Sequence, residues 1–322
     1  MYTNILVPLD GSPQAEAALP YATALAERSG GRLTLIRAAR AHIVHDRPSD
    51  QTRAINEAEA YLVGVTESLA AKAVNVQVGV PYGDSPAAWI VEEVGLRGAE
   101  LIVMATHARV GADHVLHGSV AEAVVARAGV PVLVTRPDVS VTAKRLEDAQ
   151  PTVVLALDSS ELAEAAIPAA TQLVRLLHGR LVLVGVVPKA GDLVAGPGMI
   201  VTYVGDEYAR WLDEARQYLD RIAERIAANG LTAETVVRTG DAAAEVVAVA
   251  NDYEAALIVM ATHGRTGLAR AFLGSVAGQV VARGPVPVLL IRPPSLRHAE
   301  QPALARSHTP AGASPRPMGA QP

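Results

Sequence analysis

MATHARVGADHVLHGSVAEAVVARAGVPVLVTRP at residues 104–137 returns as MATHGRTGLARAFLGSVAGQVVARGPVPVLLIRP at residues 260–293. Nearer the start, VPLDGSPQAEAALPYA at 7–22 returns as LALDSSELAEAAIPAA at 155–170. The spacing is 148 residues from Asp10 to Asp158, and 156 from His107 to His263, Gly118 to Gly274 and Pro131 to Pro287. Such a period is too long for a solenoid unit and matches one whole domain repeated in tandem. What the copies share reports a common design, and where they differ they divide the work.

Within the first copy, apolar runs at 5–9, 32–38, 74–80, 100–105 and 130–135 are predicted strands. Helical spacing separates them at 13–29, around 54–73, near 86–96 and up to residue 127. The second copy repeats the strands near 152–157, 180–187, 232–238, 256–261 and 286–291. Continuous apolar strands alternating with helices predict a parallel sheet covered on both faces. The expected fold class is α/β: two tandem domains, each an open five-stranded parallel sheet with helices on both faces, Rossmann-like in outline. Their expected limits are 1–137 and 151–293, with a linker at 138–150 and a Pro-rich, disordered tail at 294–322. The offset grows to 157 at Tyr61/Tyr218 and Gly83/Gly240, which places a nine-residue insertion in GDLVAGPGMIVTYVGDEY at 191–208. Gly and Pro at the carboxyl end of a strand suit a lid. Pro131 and Pro287 interrupt the last strands and fit an edge or a bulge better than a central strand.

Composition narrows the function. The chain has 322 residues, 28 basic against 33 acidic, and a formal charge of −5. No dense basic block is present, which argues against nucleic acid. There is no cysteine, so neither disulfides nor thiolate metal sites can form. The start, MYTNILVPLDGS, lacks the features of a signal peptide, and runs such as LVLVGVV are far too short to cross a membrane. A soluble cytoplasmic protein is expected.

In an open parallel sheet, ligands bind beyond the carboxyl ends of the strands. Asp10 and Asp158 follow the first strand of each copy. Such a carboxylate can accept from ribose hydroxyls or a base edge. It can equally cap the next helix, a task Ser12 and Ser160 could take instead. The second segment is the loop after strand four, Ala261-Thr262-His263-Gly264-Arg265-Thr266-Gly267, with Gly274-Ser275 opening a helix. Glycines bring backbone N–H groups close to an anion, and the first turn of a helix adds free donors and a positive dipole end. Together they make a phosphate cradle; the plainer reading is a turn and a cap. It is neither a Walker A loop nor a G-x-G-x-x-G fingerprint.

V-P-x-D-G-S after strand one, the M-A-T-H-G-R-x-G loop, L-G-S-V and a V-P-V-L last strand resemble the universal stress protein family over both copies. The resemblance implies an adenine nucleotide alpha hydrolase-like fold. In that family G-x₂-G-x₉-G-[ST] marks members that bind ATP. Carried over, it implies a phosphate loop of Ala261, Gly264, Gly274 and Ser275, with Asp158 on adenosine and the Val186 backbone at adenine. Arg265, Gly267 and Val276 complete the candidate binding set, with His263, which could face phosphate or be an ordinary satisfied loop histidine. Ala261 replaces the pattern's first glycine. The matching first-copy set is Asp10, Ala38, Ala105, Gly111, Gly118 and Ser119. There Ala108 replaces the second glycine and Asp113 adds a negative charge beside phosphate. The second copy is thus expected to be the better ATP site, with Mg²⁺ accompanying the triphosphate. The resemblance also implies pairing of the two domains through their last strands; an ordinary protected edge strand is the alternative.

No residue is placed as a catalytic base. Arg265 and Arg270 could touch a γ-phosphate, so slow hydrolysis is allowed but not implied. His42, His45 and Asp46, and His114 and His117, have metal-like spacing without a further ligand, and no metal site is expected. The leading expectation is an ATP-binding sensor or regulator, able to form homo-oligomers and to meet protein partners whose identity the sequence does not reveal. A nucleotide-free interaction module is the alternative. An adenylating enzyme is disfavoured, because Asp10-Gly11-Ser12 is not a Ser-Gly-Gly-x-Asp-Ser loop.

Overall fold

The computed structural model describes residues 2–39, 48–81, 85–106, 119–189, 204–263 and 274–294. In the first copy these form β1 (Asn4–Leu9), α1 (Pro13–Glu16), α2 (Leu19–Ser29), β2 (Arg32–Arg37), α3 (Pro48–Ser68) and β3 (Asn75–Gly79). Next come α4 (Pro86–Arg97), β4 (Leu101–Ala105), α5 (Ser119–Arg127) and β5 (Val132–Thr135). A run of 3-10 turns over Pro137–Glu147 leads into β6 (Thr152–Leu157), α6 (Glu161–Glu164), α7 (Ile167–Leu177), β7 (Arg180–Val187) and α8 (Val204–Ala227). The chain ends its described part with β8 (Ala233–Thr239), α9 (Ala242–Asp252), β9 (Leu257–Ala261), α10 (Ser275–Arg283) and β10 (Val288–Ile291). The insertion at 191–203 and the tail from 295 lie outside the described residues.

One expected helix is two. The stretch 13–29 breaks between α1 and α2, and the second copy breaks in the same place between α6 and α7. Pro20 and Pro168 are the cause: proline has no N–H to donate and its ring crowds the preceding turn, so it fits only a helix start.

Each copy has strand order 3-2-1-4-5 and is parallel throughout, as expected. The copies do not stop there. β5 and β10 pair antiparallel, Val134 opposite Val288, Leu133 opposite Leu289 and Val132 opposite Leu290, giving one ten-stranded sheet. This is the pairing through the last strands that the family resemblance implied. It makes the last strands central in the joint sheet, so the unpaired edge or bulge read from Pro131 and Pro287 is corrected. Each proline sits just before its strand, where a missing N–H costs no ladder bond. Their carbonyls accept from Ile102 and Ile258 at 3.0 Å.

Pleating sends alternate strand residues to opposite faces. Leu33, Leu35, Leu133, Leu155 and Leu289 meet Tyr21 and Leu25 of α2, Leu62 of α3, Leu173 of α7 and Leu219 of α8. Leu6, Ile36, Val134, Val154 and Leu290 meet Ile90 of α4, Val124 of α5, Val249 of α9 and Val280 of α10. Both cores run across the seam, and each fully buried Leu contributes about 1.5–3 kcal/mol. The expected linker packs too, burying Val139, Ala143 and Leu146. Arginines staple it. Arg28 donates to the Leu146, Asp148 and Leu177 carbonyls (3.0, 3.1 and 3.3 Å), and Arg145 to Ala255 (2.9 Å). Arg136 donates to Val281 at 2.6 Å and holds both Asp138 carboxylate oxygens at 2.9 Å. Leu177 and Val281 lie in the last turns of α7 and α10, where cations complement the helix dipole.

Candidate functional site

In each copy the chain leaves its first strand between two parallel neighbours. β6 lies between β7 and β9, and β1 between β2 and β4. Crossovers depart in opposite directions there, which opens a crevice beyond the carboxyl ends of the strands. The crevice of the second copy gathers Asp158 after β6, Val186 on β7, Ala261 and His263 at the end of β9, and Gly274, Ser275 and Val276 at the start of α10. Asp10, Ala38, Ala105 and Ser119 hold the matching places in the first copy. Gly264, Arg265, Gly267 and Arg270 lie outside the described residues. So do His107, Ala108, Gly111, Asp113, His114, His117 and Gly118, and the group His42, His45 and Asp46.

The two readings of the aspartates turn out to be linked. Ser12 Oγ accepts from the Ala15 N–H at 3.2 Å and so caps α1; Ser160 does the same for Ala163 at 3.1 Å. Asp10 Oδ1 in turn accepts from the Ser12 N–H (2.9 Å) and hydroxyl (2.5 Å). Asp158 Oδ1 accepts the same pair from Ser160 at 3.1 and 2.6 Å. The serine caps, and the aspartate holds the serine. This preorganises the carboxylate at the crevice floor.

The return from the strand-four loop is tight. Gly274 N–H donates to the Thr262 carbonyl at 2.8 Å. A Cβ on residue 274 would lie 2.7 Å from that same backbone oxygen, so only glycine allows the approach. Gly274 caps α10 without a side chain, which leaves the first N–H groups of the helix without a side-chain acceptor. Thr262 is buried, its N–H bonded to Ile291 O at 2.9 Å, and its hydroxyl lies 3.1 Å from His263 Nδ1. Ser275 is exposed and Val276 half-buried.

Two features of the site do not show in the sequence pattern. The tyrosines of α3 and α8 stand beside the aspartates. Tyr61 donates to Glu16 at 2.8 Å. The buried Tyr218 hydroxyl stands against Glu164, the counterpart of Glu16, and Arg225 engages that carboxylate at 2.8 Å. Burial, then the neighbouring glutamate, pushes both phenols above their ordinary value. The pair Tyr61/Tyr218 is visible in the repeat, but tyrosine at an apolar helical position reads as core. The second feature is a strand-end difference. Leu9 faces Arg37 in the first copy, and Leu157 faces Gly185 in the second. Arg37 places its guanidinium 4.6 Å from the centre of the Tyr61 ring.

Among the described residues no group of histidine and carboxylate side chains could hold a metal ion, and no helix is long and apolar enough to cross a membrane.

Comparison with protein families matches the universal stress protein family twice, at residues 1–136 and 151–292. The chain belongs to the universal stress protein family. It is a tandem member. Universal stress protein YxiE of Bacillus subtilis is 29% identical over 148 residues, 44% of this chain and 97% of that protein. A putative universal stress protein, SH1215 of Staphylococcus haemolyticus, is 32% identical over 160 residues, 47% of this chain and 92% of that protein. Each of these relatives is about one copy long. The crystal structure of a universal stress protein from Archaeoglobus fulgidus superposes with a TM-score of 0.66 at 22% identity, covering 90% of this chain and 96% of that one, and shows the fold.

Proposed function

We propose that this universal stress protein binds ATP or a closely related adenine nucleotide in its second copy and acts as a nucleotide-dependent sensor or regulator. The observation that carries the reading is the closure of Gly274 onto the Thr262 carbonyl, which a Cβ would prevent. It sets the free donors of α10 across the strand-end crevice from a carboxylate already oriented by Ser160. Phosphates would lie on Gly274, Ser275 and Val276, and on the glycine loop that precedes them. Asp158 would accept from the ribose, and the Val186 backbone would meet adenine. Mg²⁺ would neutralise the triphosphate, since this cradle supplies N–H donors rather than fixed charge. Among the described residues no group at the crevice is arranged to activate water, and hydrolysis is no part of the proposal. The proposed domains are 1–137 and 151–293, in a cytoplasmic protein.

The test is calorimetric titration of the full chain with Mg-ATP, with mass spectrometry of any nucleotide released on denaturation. Saturable binding lost in Asp158→Ala is the expected result. Absence of both bound nucleotide and titratable binding would sink it in favour of a nucleotide-free pairing module, a role the β5–β10 seam already equips the chain to play.

A further inference from the structure

We propose that positions 37 and 185 decide which copy takes a nucleoside, and that Arg37 closes the first copy's nucleoside subsite so that the chain takes one adenosine rather than two. This deepens the ATP reading of the second copy and rests on it.

Strand register makes the two positions equivalent, because Leu9 faces Arg37 and Leu157 faces Gly185. The Arg37 guanidinium lies directly against Gly11: a Cβ built there would come 2.9 Å from Cζ and Nη2 and 3.3 Å from Nε. Gly11 has φ +88°, which glycine adopts without strain. In the second copy the equivalent residue is Ser159, which carries a side chain at φ +67° although serine is strained there. The exchange is reciprocal. Where the loop residue has no side chain, the strand-end residue is Arg; where the loop residue has one, the strand-end residue is Gly. A Ser side chain at 11 would displace the Arg37 guanidinium from its present place, whereas at 185 the neighbour that a Cβ would crowd is Leu219, at 3.3 Å.

The consequence falls on the crevice. Arg37 is a flat cation resting on the Tyr61 ring and lying beside the Asp10–Gly11 turn. A flat base with ribose hydroxyls would seek the same surroundings, an aromatic face and an aspartate. The first copy supplies its own occupant, the Arg37 guanidinium. In the second copy no side chain stands at 185, and nothing from that position covers the face of Tyr218, the equivalent of Tyr61. This closure is separate from the phosphate loop, where Ala108 and Asp113 also differ between the copies.

Adenosine is the right probe because it has no phosphate and bypasses that loop. Full-length wild type, Arg37→Gly, Arg37→Met and the double variant Ser159→Gly/Gly185→Arg are titrated by calorimetry. The wild type is expected to take one adenosine, Arg37→Gly and Arg37→Met two, and the double variant none. Arg37→Met keeps an alkyl stem on Tyr61 and guards against a variant that fails to fold. A wild type that takes two, or arginine variants that gain none, overturns the proposal whether or not ATP binds. A wild type that binds no ATP while Arg37→Gly gains adenosine would instead refute ATP binding in the second copy and uphold the role of Arg37.

Discussion

Gly274→Ala isolates the tightest approach at the site. The backbone at 274 has φ −59° and ψ 152°, open to any residue, so the substitution introduces no dihedral strain. The added methyl alone matters, and it meets a backbone carbonyl at 2.7 Å that belongs to the buried Thr262 and cannot swing aside. Relief requires the start of α10 to move away from the end of β9. Overpacking of this kind costs about 1–3 kcal/mol. The stretched Gly274–Thr262 hydrogen bond adds about 1 kcal/mol. The expected loss is therefore about 2–4 kcal/mol of folding stability, read as a lowered urea midpoint at unchanged slope. Displaced α10 donors would also weaken Mg-ATP, by about tenfold or more for each charge-assisted bond lost. A variant within about 0.5 kcal/mol of wild type, with unaltered nucleotide affinity, would refute the argument that this approach requires glycine.

Ser159→Gly relieves a non-glycine residue at φ +67°; the gain of about 1 kcal/mol is partly offset by the freer unfolded chain, so urea denaturation should show a net stabilisation below about 1 kcal/mol. Arg136→Ala leaves the Val281 carbonyl without its charged donor at the seam and should cost about 2–3 kcal/mol. Asp138→Asn should cost far less, since Asp138 is 66% exposed and its ion pair is screened; equal losses would show that the pair, not the carbonyl staple, matters. The hydrogen bond from Arg136 holds the Asp138 carboxyl below its ordinary 3.8. Its contribution is present above that value and lost as pH falls through the lower folded-state value, so the acid side of the stability profile should flatten in Asp138→Asn. Burial raises the phenols of Tyr2, Tyr21, Tyr61 and Tyr218. That contribution is complete below the unfolded value of about 10 and is lost as pH climbs beyond it, so the urea midpoint should fall in strong alkali and fall less in Tyr218→Phe.

Much of the site is legible in the residues themselves. Gly274 and Ser275 recur with Gly118 and Ser119 at one spacing, and a glycine opening a helix has few explanations besides a turn or a cradle. Asp158 is legible as a residue but not as an arrangement. That its carboxylate grips Ser160 while Ser160 caps α6 depends on side-chain torsions, which no pattern of residue types specifies. Arg37 and Gly185 are hidden for a different reason. Arg37 ends β2 and Gly185 lies within the apolar run of β7. Each looks ordinary alone, and only the pairing of β1 with β2 and of β6 with β7 brings them to the aspartate turns. Tyr218 is masked by its own chemistry, since an aromatic on the apolar stripe of a helix is ordinary core.

The sequence by itself determined the duplication, the strand and helix alternation and the parallel sheet of each copy. Those follow from local periodicity and from helices too regularly placed to be anything but crossovers. Pro131 and Pro287 argue locally for an edge, and each last strand is the edge of its own copy's sheet; that the two edges pair was implied by the family resemblance and not by the residues alone. The tertiary structure decided the antiparallel register in which β5 and β10 meet and fuse two sheets into one. That choice is made by hydrogen bonds between strands more than 150 residues apart and by cores that continue across the seam. The same is true of the inequality between the crevices. Both loops carry an aspartate and a serine, yet the packing of Arg37 against Gly11 exists only once the strands are in register.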